Sequence, residues 1–220
     1  MTDDTDNQTR GGAADLAFLR GLAEEGSKAP LGGGRILMAA GIVYGLASLS
    51  QWAAITEVAP FSVRQSNWIW LIATGVFLTL VVLDKILWCP PTGVKTAANR
   101  AARAAWSCVG AGIFAGIASM AAVSWRLGEA GASLLWLLPS LIMVFYGLGW
   151  GVCAAMFRSQ RLLWLCIGSF VAAPVLGFMT NSPALYLAYA LALLALMAVP
   201  GFLLMRAADA AHAAHRTPTA

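Results

Sequence analysis

The stretch Leu162–Met205, LLWLCIGSFVAAPVLGFMTNSPALYLAYALALLALMAVPGFLLM, runs for 44 residues without a formal charge. About twenty apolar residues in a helix rising 1.5 Å per residue cross a hydrocarbon layer of about 30 Å, so this run is long enough for two spans. The break falls at Thr180, Asn181, Ser182 and Pro183, a polar cluster whose proline cannot continue a helix ladder. Spans at 162–179 and 184–205 follow. Pro174 and Pro200 lie inside them as kink points, where neighbouring helices can compensate the lost backbone bond.

Outward from this stretch the same reading repeats. Apolar runs give spans at 36–56 between Arg35 and Glu57, at 67–88 with its charge-free part stopping before Asp84, at 104–125 between Arg103 and Arg126, and at 133–155. The predicted fold is all-α: a polytopic integral membrane protein with a compact bundle of six transmembrane helices over 36–205. A cytoplasmic segment, 1–35, precedes the bundle, and a flexible cytoplasmic tail, 206–220, follows it.

Composition agrees. Of the 220 residues 60% are hydrophobic and 11% charged, and the mean hydropathy is +0.74, which leaves little chain for a water-soluble domain. The net charge of +4 does not indicate nucleic acid, because the basic residues flank the spans. No nucleic-acid partner is expected; membrane lipid is. Cys108, Cys153 and Cys166 fall in apolar runs as small hydrophobes, and no CxxC pair occurs.

Six spans put both termini on one side. Arg10, Arg20, Lys28, Arg35, Lys85, Lys95, Arg100, Arg103, Arg158, Arg161, Arg206 and Arg216 fall on that side, against Arg64 and Arg126 on the other. The positive-inside rule therefore predicts a multi-pass protein of the cell inner membrane with cytoplasmic termini. Trp52, Trp68, Trp70, Trp125, Trp136 and Tyr186 lie near outer ends, and Trp88, Trp106 and Trp164 near inner ends, as headgroup-level rings do. Trp150 sits deeper, so its indole nitrogen needs a partner.

The N-terminus shows no cleavable signal peptide, since Asp3, Asp4 and Asp6 crowd its start. Asp15–Lys28 reads as a short amphipathic helix, with Leu16, Leu19 and Leu22 on one face and Arg20, Glu24 and Lys28 on another. It either lies on the membrane surface or docks a protein partner. His212 and His215 near Asp209 are read as part of the flexible tail, not as a metal site.

No carboxylate, histidine or lysine falls near the centre of a span, where coupled pumps usually keep one. The interior has no histidine pair for haem, and no HExxH or GxSxG sequence, so no cofactor, metal or catalytic residue is assigned. The candidate interfacial or gating residues are Asp84, Lys85, Lys95, Arg100, Arg103 and Glu57, with Asp84 a partner for Arg100 or Arg103. Small residues recur at helix-contact spacing: Gly41 and Gly45, Gly112 and Gly116, Gly147 and Gly151. Such GxxxG pairs let backbones approach closely, within a bundle or, if one stripe points outward, across a homodimer.

Val43-Tyr44-Gly45-Leu46 in the first span matches Phe145-Tyr146-Gly147-Leu148 in the fourth, and Trp70-Leu71 with Gly75 matches Trp164-Leu165 with Gly168. Two three-helix halves in one chain would be related by an in-plane pseudo-two-fold axis, with Tyr44 and Tyr146 at the interface. Three functions fit these features. The first is a regulatory, anchoring or assembly subunit acting through a protein partner on the N-terminal helix or cytoplasmic loops. The alternative is a small transporter or channel for a neutral or apolar solute. The third is a lipid-handling enzyme at the inner interface around Asp84, Lys95, Arg100 and Arg103.

Overall fold

The structure, a computed structural model, describes residues 33–60, 63–87, 97–128, 131 and 133–214, side chains included except at 63–67 and 211–214. Among the described residues there is no strand. The helices are α1 (Gly34–Ile55), α2 (Val63–Leu87), α3 (Ala97–Leu127), α4 (Leu138–Phe157) entered through a 3-10 turn (Ser133–Leu137), α5 (Gln160–Phe178), and α6 (Ala184–Leu193). A π-helical turn (Leu194–Ala198) joins α6 directly to α7 (Val199–Ala214), so these three pieces form one last span. Six helices are long and apolar enough to cross a membrane. The segment Asp15–Lys28, Cys89 and Lys95 lie outside the described residues.

Two ends differ from the sequence reading. α3 begins at Ala97, ahead of the charge-free run that starts at Ala104. α7 continues to Ala214, so 206–214 are helical where a flexible tail was expected. The reason is local and tertiary together: Ala-rich sequence has high helix propensity, and Arg35 Nη2 at the start of α1 donates to Asp209 Oδ1 at 3.4 Å.

The helix stops are built from backbone. Glu57 has φ 58°; its N–H donates to the Ala54 carbonyl, and the Val58 N–H to the Ala53 carbonyl at 3.0 Å. That pair of bonds is a Schellman stop, made here without glycine. Arg158 (φ 47°) closes α4 in the same left-handed region, and Asn181 (φ 64°) sits in the Thr180–Pro183 turn that separates α5 from α6.

Packing divides the bundle into two triplets. α1 lies between α2 and the last span; α4 lies between α3 and α5; α5 also touches the last span. Met143, Trp150, Leu176, Leu185, Leu193 and Met197 fill the core between the triplets and are essentially fully buried. α2 and α3 expose most of their apolar surface, as Trp68, Ile72, Phe114 and Trp125 illustrate. In a membrane, where lipid tails are as apolar as leucine, such a bundle would be held by van der Waals packing and interhelical hydrogen bonds.

Candidate functional site

Exchanging the first three spans with the last three maps the main contacts of the two central helices, α1 and α4, onto each other, whereas the contact of α5 with the last span has no such counterpart between α2 and α3 among the described residues. α1 touches α2 as α4 touches α5, and α1 touches the last span as α4 touches α3. The buried faces of the two central helices share six positions, 102 residues apart: Leu37 with Pro139, Gly41 with Met143, Gly45 with Gly147, Ala47 with Gly149, Ser48 with Trp150, Gln51 with Cys153; Gly34, Ala40 and Ala54 of α1 and Tyr146 and Ala154 of α4 are buried without a buried counterpart. Tyr44 and Tyr146 are separated by the same 102 positions, the second buried and the first half-buried. Phe77, stacked on Tyr44 at 5.5 Å between ring centroids, and Phe170, against Gly147, are 93 positions apart, as Gly75 and Gly168 are.

The two tyrosines differ in surroundings. Tyr44 is half-buried and its hydroxyl donates to Thr74 Oγ1 at 3.5 Å, while Thr74 Oγ1 donates to the Trp70 carbonyl at 2.8 Å. Tyr146 is 6% exposed and packs against Trp106 with centroids 6.1 Å apart. Tyr189 on α6, a residue that the sequence reading passes over, is 2% exposed. Its signal was available in the Tyr186/Tyr189 pair, spaced three apart and so on neighbouring faces of one helix.

Towards the predicted outer ends, Tyr186 stacks between Trp70 (6.4 Å) and Trp136 (5.6 Å), joining α2, α6 and the turn before α4. The Trp70 indole N–H donates to Gln51 Oε1 at 3.1 Å, and Ser48 Oγ donates to the Tyr186 carbonyl at 2.7 Å. Deeper, Trp150 meets Trp106 edge-on at 5.1 Å and its N–H donates to the Leu196 carbonyl at 3.2 Å. The partner its depth demanded is therefore a backbone group of the last span.

Each GxxxG pair faces another helix of the same chain. A Cβ on Gly41 would overlap the Ala198 backbone, whereas one on Gly45 would sit 3.6 Å from Leu194. Gly112 and Gly116 meet Phe145 and Leu141; Gly147 and Gly151 meet Phe170 and Cys166. Gly34 and Gly201, which form no such pair, bring the ends of α1 and α7 as close as any of these.

Asp84 is half-buried, Lys85, Arg100, Arg103 and Glu57 are exposed, and among the described residues no bond or ion pair joins Asp84 to Arg100 or Arg103. Also among the described residues, no group of three His, Cys, Asp or Glu is placed to hold a metal ion. Comparison with protein-family models, curated proteins and solved structures gives no match to this chain.

Proposed function

We propose that the protein is a small carrier for a neutral solute, made of two three-helix halves inserted in opposite orientations in the inner membrane, with both termini cytoplasmic. The observation that supports this most directly is the matching set of contacts made by the two central helices, on which Tyr44 and Tyr146 lie 102 positions apart. In inverted-repeat carriers the solute site lies near the midplane where the repeats meet, and access alternates as one bundle rocks against the other. Tyr44 falls at the middle of α1. The moving bodies here are the triplet α2–α1–last span and the triplet α3–α4–α5. A neutral cargo suits an interior without carboxylate, lysine or histidine, since a buried ion would be left uncompensated.

Reconstitution into proteoliposomes tests this. Stopped-flow light scattering under gradients of glycerol, urea or benzyl alcohol should show flux above empty liposomes for at least one solute. A Tyr146→Trp variant, which fills the junction of the halves, should reduce that flux at least tenfold. Liposomes indistinguishable from empty ones across the panel would remove the carrier.

A second reading, the partner-acting subunit, is favoured by a different observation. α7 runs to Ala214 and is tied by Asp209 to Arg35, beside the start of α1. A docking surface for a protein partner would be assembled there from α7 and the N-terminal segment. Affinity purification in mild detergent, with and without residues 1–30, tests it: a stoichiometric partner lost on truncation supports a subunit, and its absence counts against one.

A further inference from the structure

Each triplet is bound internally by close contacts along its length. A Cβ on Gly41 or Gly201 would overlap the backbone of Ala198 or Met38, which joins α1 to the last span, and Gly147 and Gly151 seat the Phe170 ring and the Cys166 thiol of α5 against α4. Between the triplets the meeting is different. α5 runs along α6 and the π turn, whereas α7 beyond the turn lies along α1. Two residues of the second triplet converge there on Leu196: the Trp150 indole N–H donates to its carbonyl at 3.2 Å, and a Cβ on Gly168 would stand 3.1 Å from its side chain.

Leu196 lies in the π turn, and Pro200 just beyond it lacks an N–H, so the last span bends most readily at this point. A residue held from outside by carbonyl and side chain, in the most pliant part of its own helix, is a fixed point about which its neighbours can tilt. At the predicted outer ends the triplets meet through rings. Trp136, in the 3-10 turn that α3 and α4 both touch, lies 5.6 Å from Tyr186 with the ring planes at 53°. Tyr186 is held by its own triplet, since Ser48 Oγ donates to its carbonyl at 2.7 Å and Trp70 stacks on it at 6.4 Å. A tilted ring pair has no directional bond to break, so it can part at the cost of one aromatic contact.

We infer that the Trp136–Tyr186 ring pair is the outer gate of this protein and that Leu196 is the pivot on which the two triplets tilt to open it. The inference rests on the carrier reading for what passes the gate, while the motion itself requires no solute. The state described here is closed at the outer end. Opening separates Trp136 from Tyr186, keeps Leu196 against Trp150 and Gly168, and moves the inner ends in the opposite sense, as the two arms of a lever move about their support.

Spin-label pairs test this in the intact protein in nanodiscs, on a Cys89→Ser, Cys108→Ser background. Three pairs of exposed positions bridge the triplets: Val58 with Leu134 at the outer ends, Ile42 with Ile167 at the level of the π turn, and Leu87 with Gln160 at the inner ends. Double electron–electron resonance should give two populations for the outer and inner pairs, displaced in opposite directions, and one unchanged distance for the middle pair. Trp136→Ala should raise the outer-open population about fivefold, the equilibrium factor of one aromatic pair. Trp136→Phe keeps a ring and should restore the original distribution, and Trp125→Ala, at an exposed ring on α3 outside the contact, should leave it unchanged. One population at every pair in both the parent and Trp136→Ala, or populations indifferent to Trp136→Ala, overturns the gate; a middle distance that changes along with the outer one overturns the pivot. Flux is read separately: two populations without flux keep the gate and remove the carrier, whereas flux through a protein with fixed distances keeps a conduction path and removes the gate.

Discussion

The indole N–H of Trp150 donates to the carbonyl of Leu196, the residue four places before Pro200. In a regular helix that carbonyl would accept from the N–H of residue 200, which proline lacks. The fourth span thus supplies the donor that the last span is missing, and the π turn lies immediately ahead of the proline. Trp150→Phe should cost about 2–4 kcal/mol, combining an unsatisfied carbonyl with lost packing against Trp106. Adding Pro200→Ala restores a backbone donor, so the double variant should be less destabilised than the sum of the two single changes by about 1 kcal/mol or more. Unfolding midpoints for the four proteins check the cycle; strict additivity would show that the two sites act separately.

Gly41 and Gly45 belong to one GxxxG pair but face different surroundings. Gly41→Ala places a methyl group on the backbone of Ala198 and should destabilise by about 1–3 kcal/mol through overpacking. Gly45→Ala meets only the Leu194 side chain at ordinary contact distance, and its effect should stay within about 0.5 kcal/mol. Equal melting shifts for the two variants would contradict the observed approach of α1 to the π turn.

Glu57 holds a left-handed conformation at the end of α1. Glycine adopts that conformation without a Cβ penalty, so Glu57→Gly should raise stability by about 0.5–1 kcal/mol. A lower melting temperature would mean that the carboxylate side chain, and not the backbone bonds of the stop, secures this turn.

Glu57 and Arg158 are exposed at the ends of the first and fourth spans. With six crossings they report opposite faces. In a background with Cys89→Ser and Cys108→Ser, Glu57→Cys in intact cells should react with an impermeant maleimide and Arg158→Cys should react only after permeabilisation. The reverse pattern would invert the proposed topology, and labelling of both from one side would break the alternation of spans.

Much of the architecture can be read from charge spacing alone. The polar turn at Thr180–Pro183 and the long apolar runs follow from the energetic need to satisfy backbone groups inside lipid. Contacts between helices do not follow in that way. Pro200 signals a missing donor and Trp150 a donor without a partner, but only the tertiary arrangement brings them together. A GxxxG pair announces close approach without naming the neighbour, which is why Gly41 and Gly45 look alike in sequence and differ in space. Tyr44 and Tyr146 are picked out by the internal word match; Tyr189 escapes notice because Tyr186, three residues earlier, reads as an interfacial ring and attracts the same explanation. Glu57 attracts attention as a charge, although its backbone does the visible structural work.

The π turn of the last span also settles a matter of phase. Tyr186, Ala190, Leu194 and Ala198 all meet α1, at intervals of four residues. In an unbroken α-helix, twelve residues turn the chain through about 1200°, which would leave Tyr186 and Ala198 facing about 120° apart. A π turn absorbs one extra residue and cuts that divergence to about 20°, so a straight neighbour can be followed along the whole span. One residue in the interval Leu194–Ala198 therefore behaves as an inserted tooth in a gear: deleting it shortens the helix by a single step but swings everything beyond it, Gly201 included, off the α1 surface.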